Sequence, residues 1–144
     1  MSHQYFIDKD VNCVFVRFEG EVDFDEMRKI MAMISDSPDH TSGMCLLRDL
    51  SAATLQIEGD FESIKGVIAA RDNQVRNKLG KNRLVAWVLN NAKDYGIIHR
   101  MTALSRLDHF QITRRPFRDI AKAREFLGIP VDYEIKYLSA DETA

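Results

Sequence analysis

Between Asn12 and Val22 polar and apolar positions largely alternate. Val14, Val16 and Phe18 fall on one side of the chain, and Cys13, Phe15, Arg17 and Glu19 on the other. Period two is the mark of a strand. With Tyr5-Phe6-Ile7 ahead of an Asp8-Lys9-Asp10 turn, the spacing predicts an antiparallel hairpin over 5–18. Past Gly20 the period lengthens, and Phe24, Met27, Ile30, Met31 and Ile34 form one helical stripe. Asp23 with Glu26 makes a capping box, Val22 staples onto Met27, and Pro38 closes the segment.

Met44 to Leu50 is nearly continuous apolar sequence, as expected of a strand covered on both faces. A polar loop from Ser51 leads to Asp60, which caps the longest predicted helix. That helix ends at Gly80 and carries Phe61, Ile64, Ile68, Val75 and Leu79 on one stripe. Arg83–Leu89 is a second buried strand, Asp94–Arg106 a helix bearing Ile97, Ile98, Met101 and Leu104, and Phe110–Thr113 a short strand near an edge. Asp119 caps a last helix that Gly128 and Pro130 stop. Val131–Leu138 alternates again, as an added strand or as an arm onto a neighbouring subunit. The order ββαβαβαβα predicts an α/β fold with a mixed, mostly parallel sheet of four or five strands. Residues 1–130 are expected as one domain and 131–144 as a C-terminal extension.

Composition narrows the function more than the fold. The 144 residues hold 45% hydrophobic and 29% charged residues, ordinary for a globular chain. No membrane-length apolar run and no signal-peptide pattern are present, so the expected location is the cytoplasm. Cys13 and Cys45 sit in apolar strand patterns as reduced thiols without CxxC spacing. His3, His40, His99 and His109 lie far apart, and no GxSxG, P-loop or GxGxxG occurs. These absences point to a protein with no catalysis, no metal and no cofactor.

The net charge of -2 hides a split. Residues 1–70 carry 6 basic and 13 acidic side chains, residues 71–126 carry 13 and 5, and the remainder 1 and 4. One face suited to an anionic partner would follow, or an interleaving of both signs in space, which is the expectation taken. The basic set Arg71, Arg76, Lys78, Lys81, Arg83, Arg100, Arg106, Arg114, Arg115 and Arg118 lacks interleaved exposed aromatics. It reads as a solvated face, with no nucleic-acid partner.

Val14-Phe15-Val16-Arg17-Phe18-Glu19-Gly20-Glu21-Val22, then Leu46-Leu47-Arg48-Asp49-Leu50-Ser51, resemble segments of STAS domains. So, further on, do Leu84-Val85-Ala86-Trp87-Val88, Tyr95-Gly96 and Phe117-Arg118-Asp119 leading to Ala123 and Phe126-Leu127. In this order, over about residues 5–127, the chain resembles small bacterial STAS/SEC14-like proteins related to anti-sigma-factor antagonists. The resemblance implies helices mainly on one side of the sheet and a non-enzymatic role, usually binding a protein partner and sometimes a small ligand. In the antagonists a serine in an Asp-Ser-Ser-Gly turn, at the start of the helix after the third strand, is phosphorylated. The corresponding Ala53–Asp60 stretch is longer and lacks that serine, so this switch is not carried over.

Ligands gather at the carboxyl ends of strands in open α/β sheets. Asp49, Ser51, Thr54, Glu58 and Asp60 are therefore the candidate contact edge for a protein partner. The alternative function is carriage or sensing of a small apolar, lipid-like ligand between the first two helices. Phe24, Met27, Met31, Phe61, Ile64 and Ile68 would line that pocket, with Tyr95 at its end and the methionines adapting to the occupant. The tail or an edge strand offers a route to a homodimer.

Overall fold

The protein's structure, a computed structural model, describes residues 2–106 and 110–137. Its elements in chain order are β1 (Ser2–Asp8), β2 (Cys13–Val22), α1 (Phe24–Ser35), β3 (Cys45–Leu55), α2 (Phe61–Ala69), α3 (Asn73–Leu79), β4 (Leu84–Leu89), α4 (Ala92–Leu104), β5 (Thr113–Phe117) and α5 (Ile120–Leu127). The five strands form one sheet in sequence order. β1 is antiparallel to β2, and every later pair is parallel. The α/β class and the hairpin-then-crossover pattern match the expectation.

Strand alternation sorts side chains onto two faces. One face carries Val14, Val16, Phe18, Leu46, Leu50, Val85, Trp87 and Leu89, and it is covered by α1, α2, α3 and α4. The other carries Cys13, Phe15, Leu47, Ala86 and Val88, and it is covered by α5 and the chain beyond it. Most of the helices thus lie on one side, as the resemblance implied.

Local chemistry explains the helix starts. Asp23 accepts the Glu26 amide at 2.8 Å, Asp60 that of Ser63 at 2.7 Å, and Asn91 that of Asp94 at 2.8 Å. Each bond satisfies one of the amides that the first turn leaves free. The predicted long helix over 60–80 is instead two. α2 stops at Ala70, and Asp72 begins α3 by accepting the Gln74 amide at 2.8 Å. An aspartate inside a helical stripe competes with the helix by capping a new one. Gly80 ends α3 at φ +102°, where a Cβ would lie 2.5 Å from the Gly43 amide nitrogen. Only glycine lets the loop before β3 pass that close.

Three other expectations change. The short edge strand expected over Phe110–Thr113 forms instead over Thr113–Phe117. The strand begun at Cys45 does not give way to a loop after Ser51 but runs on to Leu55, paired with Glu19–Val22. Between Arg17↔Asp49 and Glu19↔Ala52, β3 spends one residue more than β2. This bulge reverses which residues face which side, so Leu50 and Ala53 both point into the first core. The segment 131–137 forms no strand; Tyr133, Ile135 and Tyr137 pack against the second face of their own chain. Tyr133 stacks on Phe15 with centroids 5.6 Å apart and donates its hydroxyl to Asp8 at 2.5 Å. Leu138, the last residue of the alternating run, lies outside the described residues.

Candidate ligand-binding cavity

A cavity of about 380 Å³ lies between the first face of the sheet and the helices above it. Leu46, Arg48, Val85 and Trp87, from the two central strands, form its floor. Phe24, Met27 and Met31 of α1 make one wall, and Val75 and Leu79 of α3 the other. Val67 and Ala70 reach it from the last turn of α2, Arg71 and Asp72 from the break between helices, and Met101 from α4. Lys78 of α3 pairs with Asp36 just past α1 at 2.6 Å, tying the two walls together. The split of the predicted helix therefore matters to the site. It brings the 70–72 connection, and Arg71 with it, to the cavity.

The apolar lining is interrupted by cations. Arg28, Lys29, Arg48, Arg71, Arg76, Arg83 and Arg114 border the cavity, and Asp72 is the one acid beside them among the described residues. Asp72 is already engaged at the start of α3. Arg28 pairs with Asp25 outside the cavity. Arg48 and Arg83 differ from these. Among the described residues neither has a carboxylate within ion-pair distance, and the Nε of each is buried without a hydrogen-bond acceptor. Arg83 is only 8% exposed. Arg48 lies over the Trp87 ring, 4.5 Å from its centroid, and Phe24 tilts against the same ring at 6.2 Å.

Burial pulls the Arg48 guanidinium down to about 9, with Arg83, Arg114 and Arg71 pushing the same way. Burial, then Arg76, takes Arg83 down to about 10. Both remain charged at neutral pH, and an isolated arginine is harder still to deprotonate. The downward direction marks burial first, and then the crowding of neighbouring guanidinium groups.

Of the residues expected in a pocket, Phe24, Met27 and Met31 line this cavity. The other four do not. Phe61 projects outward at 57% exposure, and Ile64 is fully buried in the core beside α4. Ile68 packs at the core's edge, one position out of phase with Val67, which does face the cavity. Tyr95 stacks on His99 on the outer part of α4, bordering a separate, larger pocket of about 720 Å³.

The proposed contact edge is also rearranged. Asp49 is 6% exposed and lies on the second face, paired in register with Arg17. Its carboxylate accepts the Ser51 amide at 3.0 Å, satisfying the backbone inside the bulge. Ser51, Thr54, Glu58 and Asp60 are exposed. Asp60 caps α2, and backbone contacts lower its carboxyl below the ordinary carboxylate range.

Sequence reasoning missed the inward arginines and Asp94. Arg71, Arg76, Arg83 and Arg114, expected on a solvated face, border the cavity. A signal was present: Arg83, Val85 and Trp87 alternate along one strand, as do Leu46 and Arg48 along another, so the cations share the face of the core residues. Asp94, fully buried, accepts the Leu55 amide and the Asn91 side-chain amide, each at 3.1 Å. It closes the edge of β3 where β4 has already ended.

No family model matches the chain, and no curated protein matches it. Among solved structures, it is similar to the anti-sigma factor antagonist SpoIIAA in its unphosphorylated form. That likeness has 12% identity and a TM-score of 0.42, and it covers 89% of this chain and 100% of the other.

Proposed function

We propose that this chain is a non-catalytic binding module that takes a small, largely apolar molecule into the cavity beneath α1 and α3. The observation that carries the reading is a volume of about 380 Å³ bordered by Phe24, Met27, Met31, Val67, Val75 and Trp87. Small-molecule sites occupy roughly 300–1,000 Å³, with mainly hydrophobic and aromatic walls and a few placed polar groups. Two methionines in the wall suit an occupant of variable shape.

A regulatory role through a protein partner is supported by the way α2 is placed. Its last turn borders the cavity, while its first turn presents Asp60 and the exposed Phe61 beside Glu58 and Thr54. A change at the cavity would reach that exposed end through one short helix.

Uptake of the uncharged fluorophore 1-N-phenylnaphthylamine, followed by its emission, tests the binding reading. Wild type takes up about one probe per chain. Ala32→Phe, which fills the cavity from a half-buried position on α1, takes up far less while unfolding at a similar urea concentration. Equal uptake by both places the probe elsewhere and defeats the reading.

A further inference from the structure

We infer that the cavity's ligand is an amphipathic anion, a carboxylate or phosphate head on a short apolar body, with the head held by Arg48 and Arg83. The inference rests on the cavity reading above and adds the chemical class of the occupant.

A purely apolar ligand has no use for a cation in its site. An apolar site is cheapest when lined by apolar side chains, because burying a charge without a partner is unfavourable by several kcal/mol. Here Arg48 stands on β3 and Arg83 one residue ahead of β4, each with core residues as its neighbours on the same face. Arg48 sits between Leu46 and Leu50, and Arg83 two residues before Val85. Both border the cavity, both have a buried Nε with no acceptor, and neither has an acidic partner among the described residues.

Buried charged groups elsewhere have at least one polar partner. One Asp94 oxygen takes the Leu55 and Asn91 donors, and Asp49 takes the Ser51 amide. Arg17 and Arg124 also have a buried Nε without an acceptor, but Arg17 pairs with Glu19 at 3.9 Å and Arg124 donates to the Pro130 carbonyl at 3.2 Å. Arg48 and Arg83 have no such hydrogen bond or ion pair among the described residues. An oxyacid head supplies what they lack, since guanidinium forks bind carboxylate and phosphate oxygens in charge-assisted pairs.

The rest of the lining divides accordingly. Trp87 lies against the Arg48 guanidinium at 4.5 Å, a cation–π contact. Phe24, Met27, Met31, Val67 and Val75 remain for the body of the ligand. A neutral lipid would leave both guanidinium groups desolvated and unpaired, so the site discriminates by charge as well as by shape.

The test is competition on the full chain loaded with 1-N-phenylnaphthylamine, using octanoate, octyl phosphate and the uncharged octanol. Displacement by octanoate or octyl phosphate at concentrations at least about ten-fold below octanol is expected, the scale of a charge-assisted pair. The stronger of the two identifies the head. In Arg48→Met and in Arg83→Met the preference falls toward unity. Arg48→Lys and Arg83→Lys, which keep the charge and lose the fork, retain part of it and serve where a methionine variant does not fold. Octanol competing as well as the anions overturns this inference and leaves the cavity reading standing. No uptake of the neutral probe and no heat from octanoate by direct titration calorimetry defeat both.

Discussion

If Arg48 is held for a ligand, removing its charge should make the ligand-free protein more stable. Arg48→Met keeps a long flexible side chain over Trp87 and takes away a desolvated cation whose neighbours are other arginines. Two magnitudes oppose one another. Arg48 is half-buried, so relief of its unpaired charge is worth about 1–3 kcal/mol rather than the full penalty of a buried ion, and loss of the cation–π contact costs about 1 kcal/mol. The difference favours the variant by about 0–2 kcal/mol. With a urea slope of about 2 kcal/mol/M for a domain of this size, the midpoint rises by up to about 1 M. Octanoate reverses the order of benefit. Saturating ligand at a hundred times its dissociation constant stabilises wild type by about 2.7 kcal/mol, and each ten-fold loss of affinity removes about 1.4 kcal/mol of that. The assay is urea unfolding of both proteins, with and without octanoate. A variant less stable than wild type by more than about 1 kcal/mol, with the octanoate effect unchanged, would show that Arg48 is a structural residue and refute the reasoning.

Three further outcomes follow from the same structure. Asp94→Ala strands the buried Leu55 amide and should destabilise by about 2–3 kcal/mol in urea unfolding, whereas Asp94→Asn, which keeps an acceptor there, costs less. Tyr133→Phe loses the hydroxyl's bond to Asp8 but keeps the stack on Phe15, so it should cost about 1 kcal/mol, and Tyr133→Ala about 2–4 kcal/mol, read by the same method. Burial, and then Arg83, lowers His40 below its ordinary value of 6.5. The unfolded chain then binds the proton more readily, so this contribution is complete above pH 6.5 and is lost as pH falls through the lower folded value. Stability measured across pH 5–8 should show that fall, and His40→Gln should flatten it.

The local signals that were legible are those written in neighbouring residues. The alternation of β2, the Asp23–Glu26 cap and the Gly128 stop in the left-handed conformation at φ +74° all follow from spacing of a few positions. The break between α2 and α3 was written too, in Asp72, but a continuous apolar stripe from Ile64 to Leu79 masked it. The β3 bulge depends on how β2 pairs with it, which no single strand reveals, and Asp49 changed from a contact residue to a backbone acceptor for that reason. The cavity was half legible. Phe24, Met27 and Met31 lie on one helix face, so a period of 3.6 groups them. Arg48 comes from β3, Arg83 from the residue ahead of β4 and Arg114 from β5, and only the sheet order gathers them.

The most direct test of the central claim is native mass spectrometry of the full chain, taken from cells without delipidation and again after adding octanoate. One acidic adduct per chain is predicted, present at purification or acquired on addition, and largely absent from Ala32→Phe. A bare chain under both conditions, or an adduct that Ala32→Phe keeps in full, would contradict the claim that this cavity is a ligand site.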